Sequence, residues 1–414
     1  MTAAAPRADA RVLVVADDLT GANDCGVQFA AAGWPSTLRM GGRDAAPAAG
    51  MTAVSTDARA LSDDDAAAAT RAAVEAESPS PDDHVYLKVD STLRGSVAGQ
   101  VAGALAARRR VRGDAFVVLC PAYPAMGREV RDGVLTVDGA PVTQSPAGRD
   151  PVTPVRHDLV TDLVPGAFPV PAPAGDDPAA TAAVWAAAGA DVVAVDARDA
   201  ADLARVAAVV VALGPRAVPA GSAGLAAPLA RLWGTDAPAG PAPSTARRPL
   251  VLVSSHHATA RDQVAALLAD RGDVVHAPTR SDDLLGAEAD PPAPAGGGPV
   301  VLVSPDERAE PGRSAALAAA LGRRTAAWLR DGAFDAAVLV GGDGAEATLR
   351  AADAHGIRIH GRLLEGVPHG QVAGGVLDGL TVVTKAGGFG DPQTLTTLLD
   401  TLTTPRTTTS EDPR

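Results

Sequence analysis

The chain has 414 residues, enough for two cores, and its 46% hydrophobic and 21% charged content is that of a globular protein rather than a disordered or fibrous one. Only 3% is aromatic and Asp plus Glu (49) outnumber Lys plus Arg (36), so a formal charge of −13 argues against general affinity for nucleic acid or anionic membrane. Cys25 and Cys120 are the only cysteines and no metal-spaced Cys/His set exists, which sets aside a disulfide framework and a structural zinc site and fits a reducing cytoplasm. The N-terminal ten residues lack the apolar core of a signal peptide, and no membrane span is predicted.

Apolar runs at residues 11–16, 115–120, 191–195, 250–254, 300–304, 336–340 and 380–384 read as buried strands, most of them separated by Ala-rich helical stretches. This alternation predicts an α/β fold of two domains, each with a largely parallel or mixed sheet flanked by helices. The proline-rich stretch 235–249 marks the boundary. The expected division is an N-terminal domain over 1–235, a linker over 236–249, a C-terminal domain over 250–404 and a frayed tail over 405–414. Residues 286–299 read as a loop within the second domain.

The first strand runs into Ala16-Asp-Asp-Leu-Thr-Gly-Ala-Asn-Asp24, which places Asp17 and Asp18 at the carboxyl end of a strand, where ligands of open α/β sheets bind, and opens a helix near Thr20. One of the pair is the candidate general base; the alternative use is an N-cap carboxylate. Asn23 and Asp24 fall early in that helix as site residues or first-turn stabilisers. The run from His84 to Val89 alternates partly like a strand and leads into Lys88-Val-Asp-Ser-Thr-Leu-Arg-Gly95. A cation, a carboxylate, two hydroxyls and a guanidinium in eight residues suit a small polyhydroxy acid. Arg94 can hold a carboxylate with a two-pronged hydrogen bond, Asp90 can accept from hydroxyls, Lys88 adds a point charge and Ser91 completes the set. The competing reading is a solvated turn with an internal Asp–Arg pair.

After Cys120, prolines and a glycine forbid a regular helix at once, so a shaped loop carrying Arg128 is expected, directed at a substrate acid or a transferred phosphoryl group unless Arg128 pairs with Glu129 or Asp132. The stretch from Asp150 to Asp158 is a second polar, proline-stiffened loop with His157 as a weaker candidate, since a lone His is more often structural. Further on, residues 338–347 read as strand, glycine turn and helix. There Gly341, Gly342, Asp343, Gly344 and Ala345 offer free amides and a helix N-terminus to phosphate. Residues 383–391 repeat the design with Gly387, Gly388 and Gly390 beside Lys385, and Ser254 and Ser255 supply a third edge. Two such loops point to a nucleotide. His256 and His257 are adjacent rather than a helical turn apart, and no metal ligands are assigned. Gly342-x-Gly344-x-x-Ala347 with Glu365 downstream loosely matches the dinucleotide fingerprint, and no Walker A sequence is present.

Together these motifs resemble the four-carbon acid sugar kinase family over nearly the whole chain, through Ala-Asp-Asp-Leu-Thr-Gly-Ala from Ala16, Lys-Val-Asp-Ser-Thr-Leu-Arg-Gly from Lys88, Pro-Ala-Tyr-Pro-Ala-Met-Gly-Arg from Pro121, Asp-Pro-Val-Thr-Pro from Asp150, Gly-Gly-Asp-Gly-Ala from Gly341 and Thr-Lys-Ala-Gly-Gly-Phe-Gly from Thr384. The resemblance implies a sugar-acid-binding N-terminal domain, a nucleotide-binding C-terminal domain, an active site in the interdomain cleft, and ATP with Mg2+. The implied reaction is phosphoryl transfer to the 4-hydroxyl of threonate, erythronate or 3-oxo-tetronate. Lys88 and Arg94 would then anchor the carboxylate, Asp17 or Asp18 would act as base, and the glycine loops would hold the triphosphate. Two departures stand out. Gly344 replaces a usual Thr after Gly-Gly-Asp, and Ser254-Ser-His-His257 replaces Gly-Ser-x-Ser, keeping Ser255 and losing the second serine. The competing functions are a sugar-acid sensor with a weakened nucleotide site and an NAD-dependent hydroxy-acid dehydrogenase. The sequence leaves the particular acid open, and with it the oligomeric state, a homo-oligomer included.

Overall fold

The computed structural model describes residues 11–40, 49–78, 80–234, 241, 244–286, 291–305 and 311–404. The expected tail and half of the expected linker lie outside the described residues. The chain divides into two compact units, Met1–Gly240 and Pro241–Arg414.

In chain order the first unit contains β1 (Arg11–Ala16), α1 (Leu19–Ala31), β2 (Ser36–Arg39), β3 (Gly50–Ser55), α2 (Asp63–Glu77), β4 (His84–Lys88), α3 (Val97–Val111), β5 (Phe116–Cys120), β6 (Arg128–Arg131), β7 (Val134–Val137), β8 (Ala140–Pro141), α4 (Val160–Leu163), β9 (Phe168–Val170), α5 (Pro178–Ala187), β10 (Val192–Val195), α6 (Ala200–Leu213), β11 (Ala217–Gly221) and α7 (Ala223–Trp233). Eight of these strands form a parallel sheet in the order β2-β3-β1-β4-β11-β5-β10-β9. Helices cover both faces of such a sheet, so its central strands are apolar at nearly every position. Val12 to Ala16 and Phe116 to Cys120 are accordingly buried throughout. Helix α2 starts on a Ser62 cap followed by three aspartates, and α3 ends on Arg108, Arg109 and Arg110, each charge suiting the dipole of its helix end. The two helices touch closely: a Cβ on Gly99 would lie 2.1 Å from the Asp63 carbonyl oxygen, and one on Gly103 2.2 Å from that of Ala67.

One sequence expectation changes here, and one strand lies where the sequence reading placed none. Arg128 does not sit in an irregular loop but opens β6, and β6, β7 and β8 form a small antiparallel sheet of their own. Its two tight turns are Asp132-Gly133 and Asp138-Gly139, all four residues having positive φ, the two-residue hairpin turn for which Asp-Gly is a strong signal. Strand β11 lies between β4 and β5 although it contains Pro219. Its pairing to β4 begins only at Ala220, so the missing amide falls outside that ladder.

The second unit contains β12 (Pro249–Val253), α8 (Ala258–Asp270), β13 (Val275–Pro278), α9 (Ser281–Gly286), β14 (Val300–Val303), α10 (Pro311–Arg330), β15 (Ala336–Val340), α11 (Gly342–Ala351), β16 (Gly356–Leu364), β17 (Val367–Ala373), β18 (Thr381–Lys385) and α12 (Thr394–Thr403). Its sheet runs β13-β14-β12-β15-β18-β17-β16, the first five strands parallel and the last two antiparallel. Leu267 of α8 and Leu395, Leu398, Leu399 and Leu402 of α12 pack in one core with Val251, Val301, Val338 and Val383 of the sheet. Both units are therefore α/β, one all-parallel and one mixed. No helix among the described residues is long and apolar enough to cross a membrane.

Candidate active site

Because β3, β1, β4, β11 and β5 are parallel neighbours, their carboxyl ends lie along one edge, and the polar motifs of the first unit converge there. At the end of β1, Asp17 is fully buried and Asp18 turns into the N-cap of α1, its Oδ1 accepting from the Gly21 amide at 2.7 Å and its Oδ2 from the Thr20 hydroxyl at 3.0 Å. Both carboxylates meet Arg59, which follows β3. The guanidinium donates to Asp17 at 2.7 and 2.9 Å and lies 2.9 Å from Asp18. Side-chain exposure separates the pair: 0% for Asp17 and 23% for Asp18. Burial pushes the Asp17 carboxyl above its usual range despite Arg59. Burial also works against the charge of Asp18, but Arg59, Lys88, the Gly21 amide and the Thr20 hydroxyl outweigh it and hold that carboxyl below its usual range.

Lys88 ends β4 with only 5% exposure, and its Nζ sits beside Gly21, where a Cβ would come within 3.0 Å of it. Two residues on, Asp90 binds Arg94 at 2.9 and 3.1 Å and accepts from the Thr92 amide and hydroxyl. Arg94 also reaches Asp150 at 3.1 Å. Burial would raise Asp90, but Arg94, Arg59 and Thr92 hold it well below the carboxylate range. The internal Asp–Arg pair is thus what the geometry displays: the Arg94 fork is engaged on two carboxylates, as the Arg59 fork is. Lys88, among the described residues, is left without a hydrogen bond. The turn is strained, since buried Leu93 adopts φ +56, a conformation a branched side chain rarely takes. Ser91 is half-buried on the same turn.

Arg128 donates from Nη1 to the Met126 carbonyl, and its buried Nε has no hydrogen-bond partner among the described residues. His157 is exposed and faces Asp162 at 4.0 Å, rather than a member of the cluster. Asn23 and Asp24 are buried in α1. Arg59 escaped the sequence reading because β3, Gly-Met-Thr-Ala-Val-Ser, has too little apolar continuity to announce a strand, so nothing marked the residues after it as a sheet edge. Asp150 was legible as the start of a loop and of a family motif, but not as a partner of Arg94.

In the second unit the parallel strands β12, β15 and β18 bring three loops side by side. Their backbones are stitched together by Ser254 N to Val340 O at 2.9 Å and Gly341 N to Lys385 O at 3.0 Å. Gly341 has φ +105 and α11 begins at once after it with no side-chain cap, which leaves first-turn amides to be met by a ligand. Exposed Asp343 and buried Gly344 and Ala345 follow. The hydroxyls read as a third edge are sunk into this assembly. Ser254 Oγ donates to Val340 O at 3.1 Å and would lie 2.4 Å from a Cβ on Gly344, while Ser255 Oγ would lie 1.9 Å from one on Gly387. Lys385 closes β18, at the start of the second glycine loop. It is 1% exposed, donates to the Ala386 carbonyl at 2.9 Å, and burial pulls its amine down to about 8. The second glycine loop is not followed at once by a helix as the first is, because α12 starts only at Thr394. Gln263 of α8 pins that loop, donating to the carbonyls of Phe389 at 3.0 Å and Asp391 at 2.8 Å, a contact between side chain and backbone that no motif advertised. The dinucleotide fingerprint fails on topology: Glu365 lies in the β16–β17 hairpin turn, ion-paired to Arg362, not at the end of a parallel strand.

Two family profiles match the chain, one described as a sugar-binding N-terminal domain over residues 12–229 and one as a nucleotide-binding C-terminal domain over residues 250–395. A D-threonate kinase of Bordetella bronchiseptica is 43% identical over 90% of this chain and 92% of its own length. The chain belongs to the four-carbon acid sugar kinase family. Shorter matches join it to other members of this kinase family. A D-erythronate kinase of Heliobacterium modesticaldum is 32% identical over 37% of this chain and 35% of its own, and a 3-oxo-tetronate kinase of Methylobacterium radiotolerans is 32% identical over 34% of each. A solved Bordetella bronchiseptica structure, a domain-swapped dimer with bound citrate, is 39% identical, with 95% of this chain and 98% of that one covered and a TM-score of 0.51.

Proposed function

We propose that this chain is an ATP-dependent kinase that phosphorylates the terminal 4-hydroxyl of D-threonate. The observation that carries the reading is its 43% identity to a D-threonate kinase over nine-tenths of both chains, with the acid-and-cation cluster and the glycine loops each in its own unit. Lys88, buried and without a hydrogen bond among the described residues, is the cation that takes the sugar-acid carboxylate. Arg94 and Arg59 position carboxylates: Arg94 holds Asp90 and Asp150 toward the hydroxyls, and Arg59 holds Asp17 and Asp18. Asp18 is the exposed member of its pair, kept ionised by its partners. It orients the 4-hydroxyl and accepts its proton, a role suited to a transfer in which positioning and charge neutralisation matter more than strong base catalysis.

On the donor side, the α11 N-terminus faces the phosphates, and Lys385, buried at the end of β18, adds positive charge near them. A Mg2+ ion fits oxygen donors of this kind, with Asp343 as its protein carboxylate and the phosphates supplying most other ligands. When bound, the ion would neutralise phosphate charge. The test is ADP release with Mg2+ across D- and L-threonate, D- and L-erythronate and 3-oxo-tetronate. Preferential turnover of D-threonate is expected, and preference for another of these acids reassigns the substrate while leaving the kinase. Binding of a sugar acid with no turnover of any would favour a sensor.

A further inference from the structure

Helix α8 begins on His257, whose Nδ1 accepts from the Thr259 amide at 3.2 Å. An amide can only donate, so Nδ1 carries the lone pair and a neutral imidazole keeps its proton on Nε2. That outer edge lies against the second glycine loop: a Cβ on Gly388 would stand 3.2 Å from Nε2, 3.3 Å from Cδ2 and 3.4 Å from Cε1. Gly388 therefore leaves the space that the ring occupies. Both sides of this contact are fixed. The His257 amide donates to Ser255 Oγ at 3.2 Å, and Gln263 of the same helix ties the loop through Phe389 and Asp391. The ring is nonetheless exposed, so it faces solvent at the edge where the loops after β12, β15 and β18 meet.

We propose that His257 is a binding residue for the phosphate chain of the nucleotide, donating Nε2–H to a phosphate oxygen over the Gly387–Gly388 turn. The cap does more than start the helix, because it selects the tautomer that makes the distal nitrogen a donor. This inference rests on the reading of the second unit as the nucleotide site.

The two nitrogens can be separated by substitution in the full-length protein. His257→Asn keeps a short N-capping group and removes the distal donor, whereas His257→Gln keeps a distal amide donor and weakens the cap. Binding of ATP and of adenosine is measured by calorimetry, alongside the melting temperature. His257→Asn should weaken ATP about tenfold or more, the loss of one hydrogen bond to a charged group. Its adenosine affinity and melting temperature should be unchanged. His257→Gln should melt lower yet bind ATP within a few-fold of the wild type. Wild-type ATP affinity in His257→Asn overturns the phosphate contact and leaves the nucleotide site standing. Weakened ATP binding in both variants in step with their melting temperatures reduces His257 to a cap, and no ATP binding by the wild type removes the underlying reading itself.

Discussion

Asp17 and Asp18 are chemically identical and adjacent in sequence, and what distinguishes them is which neighbours each meets. Asp17 is enclosed and closes a two-pronged ion pair with Arg59, so replacing it leaves a guanidinium without its main partner. Asp17→Asn is expected to lower stability by roughly 3 kcal/mol, the usual cost of breaking one side of a buried pair. Asp18→Asn keeps a good N-cap for α1 but gives up its charge beside Arg59, so it should cost less stability than Asp17→Asn while lowering kcat by about 10²-fold or more. Thermal unfolding and steady-state kinetics on both variants check the assignment. A stable Asp17→Asn with the larger loss of kcat would exchange the two roles. Arg94 teaches the same lesson, since its residue type and spacing announced an anion-binding fork, and Asp150, 56 positions away, occupies part of it.

Strands and loops carry a second level of information, held in volumes rather than charges. Ser254 and Gly344 lie 90 positions apart and share one space: the serine side chain stands where a side chain at 344 would grow. Gly344→Ala in the intact protein should cost about 1–3 kcal/mol through overpacking. After Ser254→Gly the same change should cost less, because the serine clash is gone, only Leu252 Cδ2 at 3.2 Å still has to give, and Ala favours a helix over Gly by up to about 1 kcal/mol. Denaturant unfolding of the two single variants and the double variant measures the coupling, and strictly additive effects would refute the shared volume. The β6–β7–β8 sheet shows a missed signal of the opposite kind. Asp132-Gly133 and Asp138-Gly139 are hairpin signals in the sequence, but Pro124 and Gly127 ahead of them break any regular helix and read as an irregular loop.

Over the entire chain the acid side of the charge balance sets the pH response. Asp18, Asp90 and Asp150 are each held below the usual carboxyl range by cations and amides that outweigh their burial. A depressed folded value means stability that is complete above the unfolded carboxyl value, near pH 4, and lost as the pH falls through the folded values. Lys385 works with the same slope at the alkaline end. With its amine near 8 when folded and higher when unfolded, stability gains as the pH rises between those values. The melting temperature is therefore expected to fall steeply below about pH 4. A main loss already complete by pH 5.5 would show that histidines, not these carboxylates, govern it.

Strands that are buried on both faces must be apolar along their length, so β1, β5, β12, β14 and β15 could be read from local composition, and the polar residues following them identified one edge of each sheet. The family motifs were likewise local strings. What depended on the fold was every pairing between distant segments: Arg59 with Asp17, Asp150 with Arg94, Gln263 with Phe389, and Ser254 with Gly344. Strand β3 lacks a continuous apolar run and β11 contains a proline, yet both lie inside the parallel sheet, because neighbouring strands and helices supply the burial and hydrogen bonds that their own residues do not advertise. Chemical capacity was written in the order of residues. Which capacities remain available to a ligand was set by which side chains the fold brought together, since a charge already paired inside the protein has less attraction left to offer.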